Sequence, residues 1–346
     1  MSSAVPLLEL REVSVSFRRR GREVQALDRV SLSVAAGSSV GLVGESGSGK
    51  TTLARAVLGL VPVHSGQVMF DGRDITKFGF KLRRGLYQDM QIVFQDPFSS
   101  LNPTRTVGAT LAEPLESFAE HSREEVALRV ASILERVHLP ADTLTRFPQE
   151  LSGGQRQRVA IARALILEPR LVICDEAVSA LDLSVQAQIL DLLKELQARL
   201  GLSYLFISHD LDVVQHMCDE TVVMYRGQVM ESGPTSMLAE SPAHPYTQAL
   251  QMAAPRPNPR LQRQRRLTGK PAVASAPSQA ATLAGCVFAP RCAYATTACR
   301  IEQQQLRRAG AGLVACDRFP AWHAESKSLS NGGTDHAHEF QLPEVR

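Results

Sequence analysis

GESGSGKT, residues 44–51, decides how the rest of this chain is read. Gly44, Gly49, Lys50 and Thr51 fill a G-x-x-x-x-G-K-T pattern between an apolar run (40–43) and a helix-like run (53–60). Strand, loop and helix follow in that order. In such a loop the glycines let main-chain N–H groups turn inward around a di- or triphosphate, and the next helix offers its positive end. Lys50 then reaches the outer phosphates and the Thr51 hydroxyl ligates magnesium, with Glu45, Ser46, Gly47, Ser48 and Thr52 completing the cradle. An ordinary glycine-rich turn matches the pattern by chance in roughly one chain in a hundred of this length.

On the N-terminal side, residues 7–17 alternate apolar and polar, as a half-buried strand does, and end on Phe17. An aromatic there stacks on a flat partner such as an adenine ring or joins the core, and the burial habit of Phe favours the core. A second strand at 30–34 leads into the loop. On the C-terminal side, 65–72 and 90–95 read as strands, the latter ending at Gln95, a magnesium contact that senses the γ-phosphate or a solvated loop residue. From 102 to 151 the strand pattern gives way to helical periodicity, strongest in 107–115 and 124–137. That helical insertion ends in LSGGQRQRVAIARAL (151–165), where Ser152 is a helix N-cap or, with Gly153 and Gly154, a second anion site. LVIC (171–174) is a continuous apolar run that delivers Asp175 and Glu176 to a strand end, one placed to hold magnesium and the other to orient or deprotonate an attacking water. A third such strand (204–207) ends at Ser208, His209 and Asp210. His209 reads as a surface residue or as a γ-phosphate contact.

Composition bounds these readings. With 346 residues, 44% hydrophobic and 21% charged, the chain buries one large core and a smaller second unit. It contains no apolar run of about eighteen residues and no secretory leader pattern, so a cytoplasmic location is expected. A net charge of +3 gives no argument for nucleic acid.

Taken together, the motifs resemble the ATP-binding subunit of an ABC transporter over about residues 7–254, an α/β P-loop NTPase core with an antiparallel β subdomain and a helical insertion at about 102–165. Residues 44–51 are similar to that family's Walker A, Gln95 to its Q-loop, 151–155 to its LSGGQ signature, 171–176 to Walker B with the catalytic glutamate, 180–182 to the D-loop and His209 to the switch histidine. Phe17 falls at the adenine-stacking position. The resemblance implies ATP and Mg²⁺ as ligands and two cassettes paired head to tail. Ser152, Gly153, Gly154, Gln155 and Asp182 of one would then close over the ATP held by the other. MQIVFQDPFSSLNPTRTVG (90–108), AEPL (112–115) and HPYTQAL (244–250) resemble the subfamily that energises oligopeptide and dipeptide importers. Nickel or glutathione importers and a soluble redox-sensing ATPase are the alternatives. The partners implied are two transmembrane permease subunits, a second ATPase or another copy of this chain, and, indirectly, a solute-binding protein. The implied location is peripheral, on the cytoplasmic face of the inner membrane.

Residues 253–285 read as a linker rich in Pro, Ala, Arg and Gln, with RLQRQRR (260–266) a solvated cluster, and 326–346 read as a disordered tail. Between them, 255–325 resembles the peptide-importer C-terminal domain. Cys286, Cys292, Cys299 and Cys316 are spaced C-x5-C-x6-C-x16-C, a complete donor set for zinc or a [4Fe-4S] cluster, or else four buried or free thiols. The resemblance favours the cluster. The chain has Ala289 where that family often has His.

Overall fold

The alternating N-terminal residues build a hairpin. β1 (Leu8–Arg19) and β2 (Arg22–Val34) pair antiparallel with Leu8 opposite Val34 and Phe17 opposite Val24. The computed structural model describes residues 5–19, 21–96, 100–118, 121–253 and 284–322; the expected linker from 254 to 283, its basic cluster and the expected tail lie outside these. β3 (Ser39–Val43) leads through the glycine loop into α1 (Lys50–Val57). The helix begins on Lys50 itself, three residues before the apolar periodicity, and stops where Gly59 takes a left-handed φ of +69°. β4 (Ser65–Phe70) and β5 (Arg73–Asp74) complete a four-stranded antiparallel sheet in the order β2-β1-β4-β5.

A second sheet carries the site. α2 (Phe80–Asp89) runs into β6 (Met90–Val93), and after the helical segment come β7 (Leu171–Asp175), β8 (Ser203–Ser208), β9 (Glu220–Tyr225) and β10 (Gln228–Pro234). β9, β3, β8, β7 and β6 lie side by side and parallel in that order, with β10 antiparallel on β9. β3, β7 and β8 are buried at every residue, which is why they read as unbroken apolar runs. One core joins β1, β2 and β4 to α1 and to one face of the parallel sheet, with Leu8, Leu27, Leu53, Val57, Ile173 and Ile207 fully shielded. Chain order in the parallel sheet reverses beside β3, and ligands in such sheets bind outside the carboxyl ends of the strands at that point.

Between β6 and β7, α3 (Val107–Phe118), α4 (Arg123–Arg136) and α5 (Gly153–Leu165) pack on one another, joined by 3₁₀ turns at Ala141–Thr145 and Pro148–Glu150. Ser122 and Glu125 start α4 with a reciprocal cap. α6 (Leu183–Leu200) ends at Gly201 in a left-handed conformation, and α7 (Leu211–Met217) follows β8. The chain divides into compact units at 236/237, upstream of the boundary expected at 254. α8 (Thr235–Glu240) spans the division. The described part of the second unit holds α9 (Pro245–Ala253), α10 (Thr297–Ile301) and a hairpin of β11 (Arg307–Ala309) with β12 (Gly312–Val314). Among the described residues no helix is long and apolar enough to cross a membrane.

Candidate functional site

Strand register brings the sequence motifs to one edge. β3 pairs with β8 as Val43 opposite Ser208, β8 with β7 as Ile207 opposite Asp175, and β7 with β6 as Cys174 opposite Val93. The next residue along each strand is therefore Gly44, His209, Glu176 and Phe94, with Gln95 one position further.

The loop after β3 is a cradle that side chains would fill. A Cβ on Gly44 would lie 2.2 Å from the Met224 carbonyl oxygen and 2.6 Å from Ser48 Oγ. Gly49 has φ +105°, and a Cβ there would lie 2.7 Å from the Ala26 carbonyl oxygen. The buried Lys50 ammonium turns back on its own loop, donating to the carbonyls of Gly44 at 2.7 Å and Glu45 at 3.0 Å. Burial pulls the Lys50 pKa down, while Glu176, Asp175 and Glu45 oppose the shift. Ser48 Oγ is buried with no hydrogen-bond partner. An orphaned hydroxyl, a cation resting on carbonyls and the N-terminal end of α1 in one backbone nest fit a polyphosphate, whose oxygens supply the missing acceptors.

Thr51 Oγ1 lies 3.4 Å from Asp175 Oδ1. Burial pushes the Asp175 carboxyl up, the Thr51 hydroxyl partly offsets this, and the neighbouring Glu176 adds to it. A divalent cation between Thr51 and Asp175 would reverse that balance by supplying the missing positive charge. Glu176 sits just past β7 at φ +50°, a conformation that costs a non-glycine residue energy, with its N–H donating to the Ile207 carbonyl at 3.0 Å. That backbone turn leaves Glu176 Oε1 3.6 Å from His209 Nδ1, the carboxylate mostly shielded and the imidazole more than half exposed. Gln95 is exposed beyond the end of β6.

The LSGGQ stretch forms a helix start. Ser152 Oγ accepts from the Gln155 N–H at 3.3 Å, and Gln155 Oε1 accepts from the Ser152 N–H at 3.0 Å. The N-cap reading of Ser152 is thus what this chain displays by itself. A Cβ on Gly154 would lie 2.6 Å from Val185 Cγ1, whereas one on Gly153 would make only an ordinary contact, 3.7 Å from Leu181 Cδ2. Asp182 caps α6, accepting from the N–H groups of Ser184 and Val185, and its pKa is lowered first by the Ser184 hydroxyl, which also donates to it at 2.6 Å, and then by those N–H groups.

Of the two readings left open for Phe17, packing into the core is not what the structure shows. Its burial habit favoured the core, but the ring is 39% exposed near the end of β1, because the alternation puts Val13 and Val15 inward while the ribbon end projects past the core. One residue of consequence escaped the sequence reading altogether. Arg83, in what looks like a solvated basic helix face, is buried, and its guanidinium bonds to four main-chain carbonyls. Nothing in the local pattern KLRRGLYQD distinguishes it from Arg84.

In the second unit all four clustered cysteines border one small cavity of about 20 Å³, together with His244, Phe288, Tyr294 and Trp322. Burial pushes the Cys286 thiol up to about 11 and the Cys292 thiol up to about 12, and raises that of Cys316. The donor set suits a soft metal centre, since thiols held this far from ionisation need a cation to become thiolates. The thiols as placed are not gathered to ligating positions: among the described residues no group of three or more His, Cys, Asp or Glu is arranged to hold a metal ion. His244 is fully shielded, accepts from the Tyr246 N–H at 3.0 Å, and lies edge-on to Phe288 with centroids 5.8 Å apart. Burial pulls its pKa down to about 3.

Two families match the chain, one on either side of residue 200. Residues 27–179 match the ABC transporter family, and residues 230–299 match the oligopeptide/dipeptide transporter C-terminal region. A Brucella ovis protein named for peptide import as an ATP-binding protein is 46% identical over 314 residues, covering 90% of this chain and 98% of its own. The oligopeptide transport ATP-binding protein OppF of Salmonella typhimurium is 42% identical over 320 residues, covering 90% of this chain and 95% of its own. Among solved structures, the ATP-binding cassette MJ0796, in a dimeric post-hydrolysis state bound to ADP and Pi, superimposes with a TM-score of 0.61 at 28% identity, over 66% of this chain and 98% of its own.

Proposed function

This chain belongs to the ABC transporter family of ATP-binding subunits, and we propose that it powers the uptake of oligopeptides or dipeptides through the following chemistry. The observation that carries the proposal is the convergence of Lys50, Thr51, Asp175, Glu176 and His209 on one sheet edge. Lys50 exchanges its loop carbonyls for the outer phosphates of ATP. Thr51 and Asp175, with Gln95, hold magnesium, which when bound neutralises charge on the phosphate oxygens. Glu176 orients the attacking water and takes its proton, and His209, 3.6 Å away, steadies that carboxylate and faces the γ-phosphate. The exposed Phe17 ring stacks on the adenine.

One chain supplies no partner for its own LSGGQ end, where Ser152 and Gln155 bond to each other. A second cassette, paralogous or identical, brings its Ser152, Gly153, Gly154, Gln155 and Asp182 over the nucleotide and closes the site. The pair works at the cytoplasmic face of the inner membrane on two permease subunits, with an extracytoplasmic solute-binding protein upstream of them. A groove of about 270 Å³ among β6, α3 and α5, lined by Val93, Phe94, Leu101, Pro114, Phe118 and Leu167, supports a permease segment seated next to Gln95. Purification of the full chain from gently solubilised native membranes tests this. Two multi-spanning subunits and a second ATPase are expected to accompany it; exclusively soluble partners would overturn the importer assignment.

The border of four cysteines on one cavity supports a second reading, that Cys286, Cys292, Cys299 and Cys316 draw together around an iron–sulfur cluster or zinc. Iron and zinc in the purified chain are then expected to fall to background in Cys292→Ser. Equal metal content in the variant and the parent, or none in either, would discard it.

A further inference from the structure

Arg83 has no role in the chemistry described so far, yet it occupies a costly position. It is 7% exposed in α2, and burial pulls its pKa down. Its guanidinium is held by the carbonyls of Phe78 at 3.1 Å, Ile75 at 3.0 Å, Thr76 at 3.4 Å and Val57 at 3.3 Å. Room for it exists because residue 59 is glycine: a Cβ there would lie 1.8 Å from the guanidinium carbon. A buried cation whose hydrogen bonds, among the described residues, go to main-chain carbonyls is an expensive way to fill space, and a hydrophobic side chain of the same volume would do so at lower cost.

Apart from Phe78, in the turn before α2, the carbonyls belong to two bodies, the phosphate-loop helix and the antiparallel sheet. Val57 is the last residue of α1, the helix whose first turn presents Lys50 and Thr51. Ile75 and Thr76 belong to the edge of the antiparallel sheet, where the Ile75 N–H bonds to Val68 of β4 and the Val68 N–H to the Thr76 hydroxyl. β4 pairs in turn with β1, the strand that carries Phe17. At its other end α1 already meets the same sheet, where Gly49 packs on the Ala26 carbonyl of β2. The shared apolar core already packs α1 against this sheet along its length, and Arg83 adds a directional polar tie at the C-terminal end of the helix.

We propose that Arg83 is a positioning residue that sets the span between the base platform on the antiparallel sheet and the phosphate cradle at the start of α1. Its removal spoils the match to a whole nucleotide while leaving each half of the site intact. The proposal rests on the reading that the base lies against the antiparallel sheet at Phe17.

The experiment compares binding of Mg-ATP with binding of magnesium tripolyphosphate, which spans only the cradle. The full chain is examined as parent, Arg83→Met, Arg83→Lys and Phe17→Leu. In Arg83→Met, ATP affinity is expected to fall about ten-fold while tripolyphosphate affinity stays within about two-fold, and kcat at saturating ATP is largely kept so that the loss sits in KM. Arg83→Lys, which keeps a cation but not the fork of donors, is expected to recover part of the ATP affinity, and it carries the test if the Met variant does not purify folded. Equal weakening of both ligands, or no change in either, overturns the proposal, because Arg83 would then be packing for α1 alone. Phe17→Leu separates the two readings. An unchanged ATP-to-tripolyphosphate ratio there removes Phe17 as the platform, while the Arg83 result stands or falls on its own ratio.

Discussion

The phosphate cradle and the cysteine-lined cavity are both concave, both gather reactive side chains, and are built on opposite principles. The cradle is made of backbone. Its donors are the amides of a loop pinned between a fully buried strand, β3, and helix α1, its lysine is parked on loop carbonyls, and its orphaned Ser48 hydroxyl faces no substitute partner. The cavity in the second unit is made of side chains: four thiols, an imidazole set edge-on to Phe288, and the rings of Tyr294 and Trp322. The two sites draw their rigidity from different sources. A parallel sheet holds the cradle in shape whether or not ligand is present, while the cavity depends on keeping its own polar groups uncharged.

The comparison breaks most visibly at Glu176. Glu176→Gln keeps the shape and hydrogen-bonding capacity of the site but removes the group that orients and deprotonates water. Turnover is expected to fall about 10²–10⁴-fold, with ATP binding retained. Trp322, the chain's one tryptophan, is buried in the second unit and should show unchanged fluorescence in that variant. Turnover equal to the parent would remove Glu176 from the mechanism.

A smaller effect sharpens the other side. His244 has a folded-state pKa of about 3 against an ordinary value of 6.5, so the unfolded chain binds the proton more readily. Its contribution to stability is therefore complete above about pH 6.5 and is lost progressively as pH falls toward 3, at up to about 1.4 kcal/mol per pH unit. Denaturant unfolding followed by Trp322 emission should shift its midpoint downward across that window, and His244→Gln should flatten the dependence. Identical slopes in parent and variant would show that His244 is not the group responsible.

Legibility followed the same physics. The strands behind the cradle were readable because strands buried on both faces must be apolar throughout, so the 40–43, 171–174 and 204–207 runs announced themselves along with the polar residues that end them. Helix α1 was placed three residues late, since Lys50 and Thr51 are polar and the helix there is fixed by the loop. Phe17 was ambiguous by pattern alone, because a ring at the projecting end of a ribbon has the same sequence neighbourhood as one in the core, and only the resemblance set it against the base. Arg83 was unreadable: its four acceptors are main-chain carbonyls, and a carbonyl carries no residue identity.

By itself, then, the amino-acid sequence determined that this chain binds a nucleotide on a strand–loop–helix, that two acids and a histidine stand at strand ends, and that four cysteines cluster near the C-terminus. These are local patterns, each readable within a few residues because main-chain geometry forces side-chain type. Tertiary structure alone decided that those strand ends share one edge, with Glu176 within 3.6 Å of His209, and that the thiols border one cavity without taking up ligating positions. It also decided that a buried arginine ties α1 to the antiparallel sheet. Such facts depend on register and on the angle between elements, which are set by the packing of residues far apart in the chain.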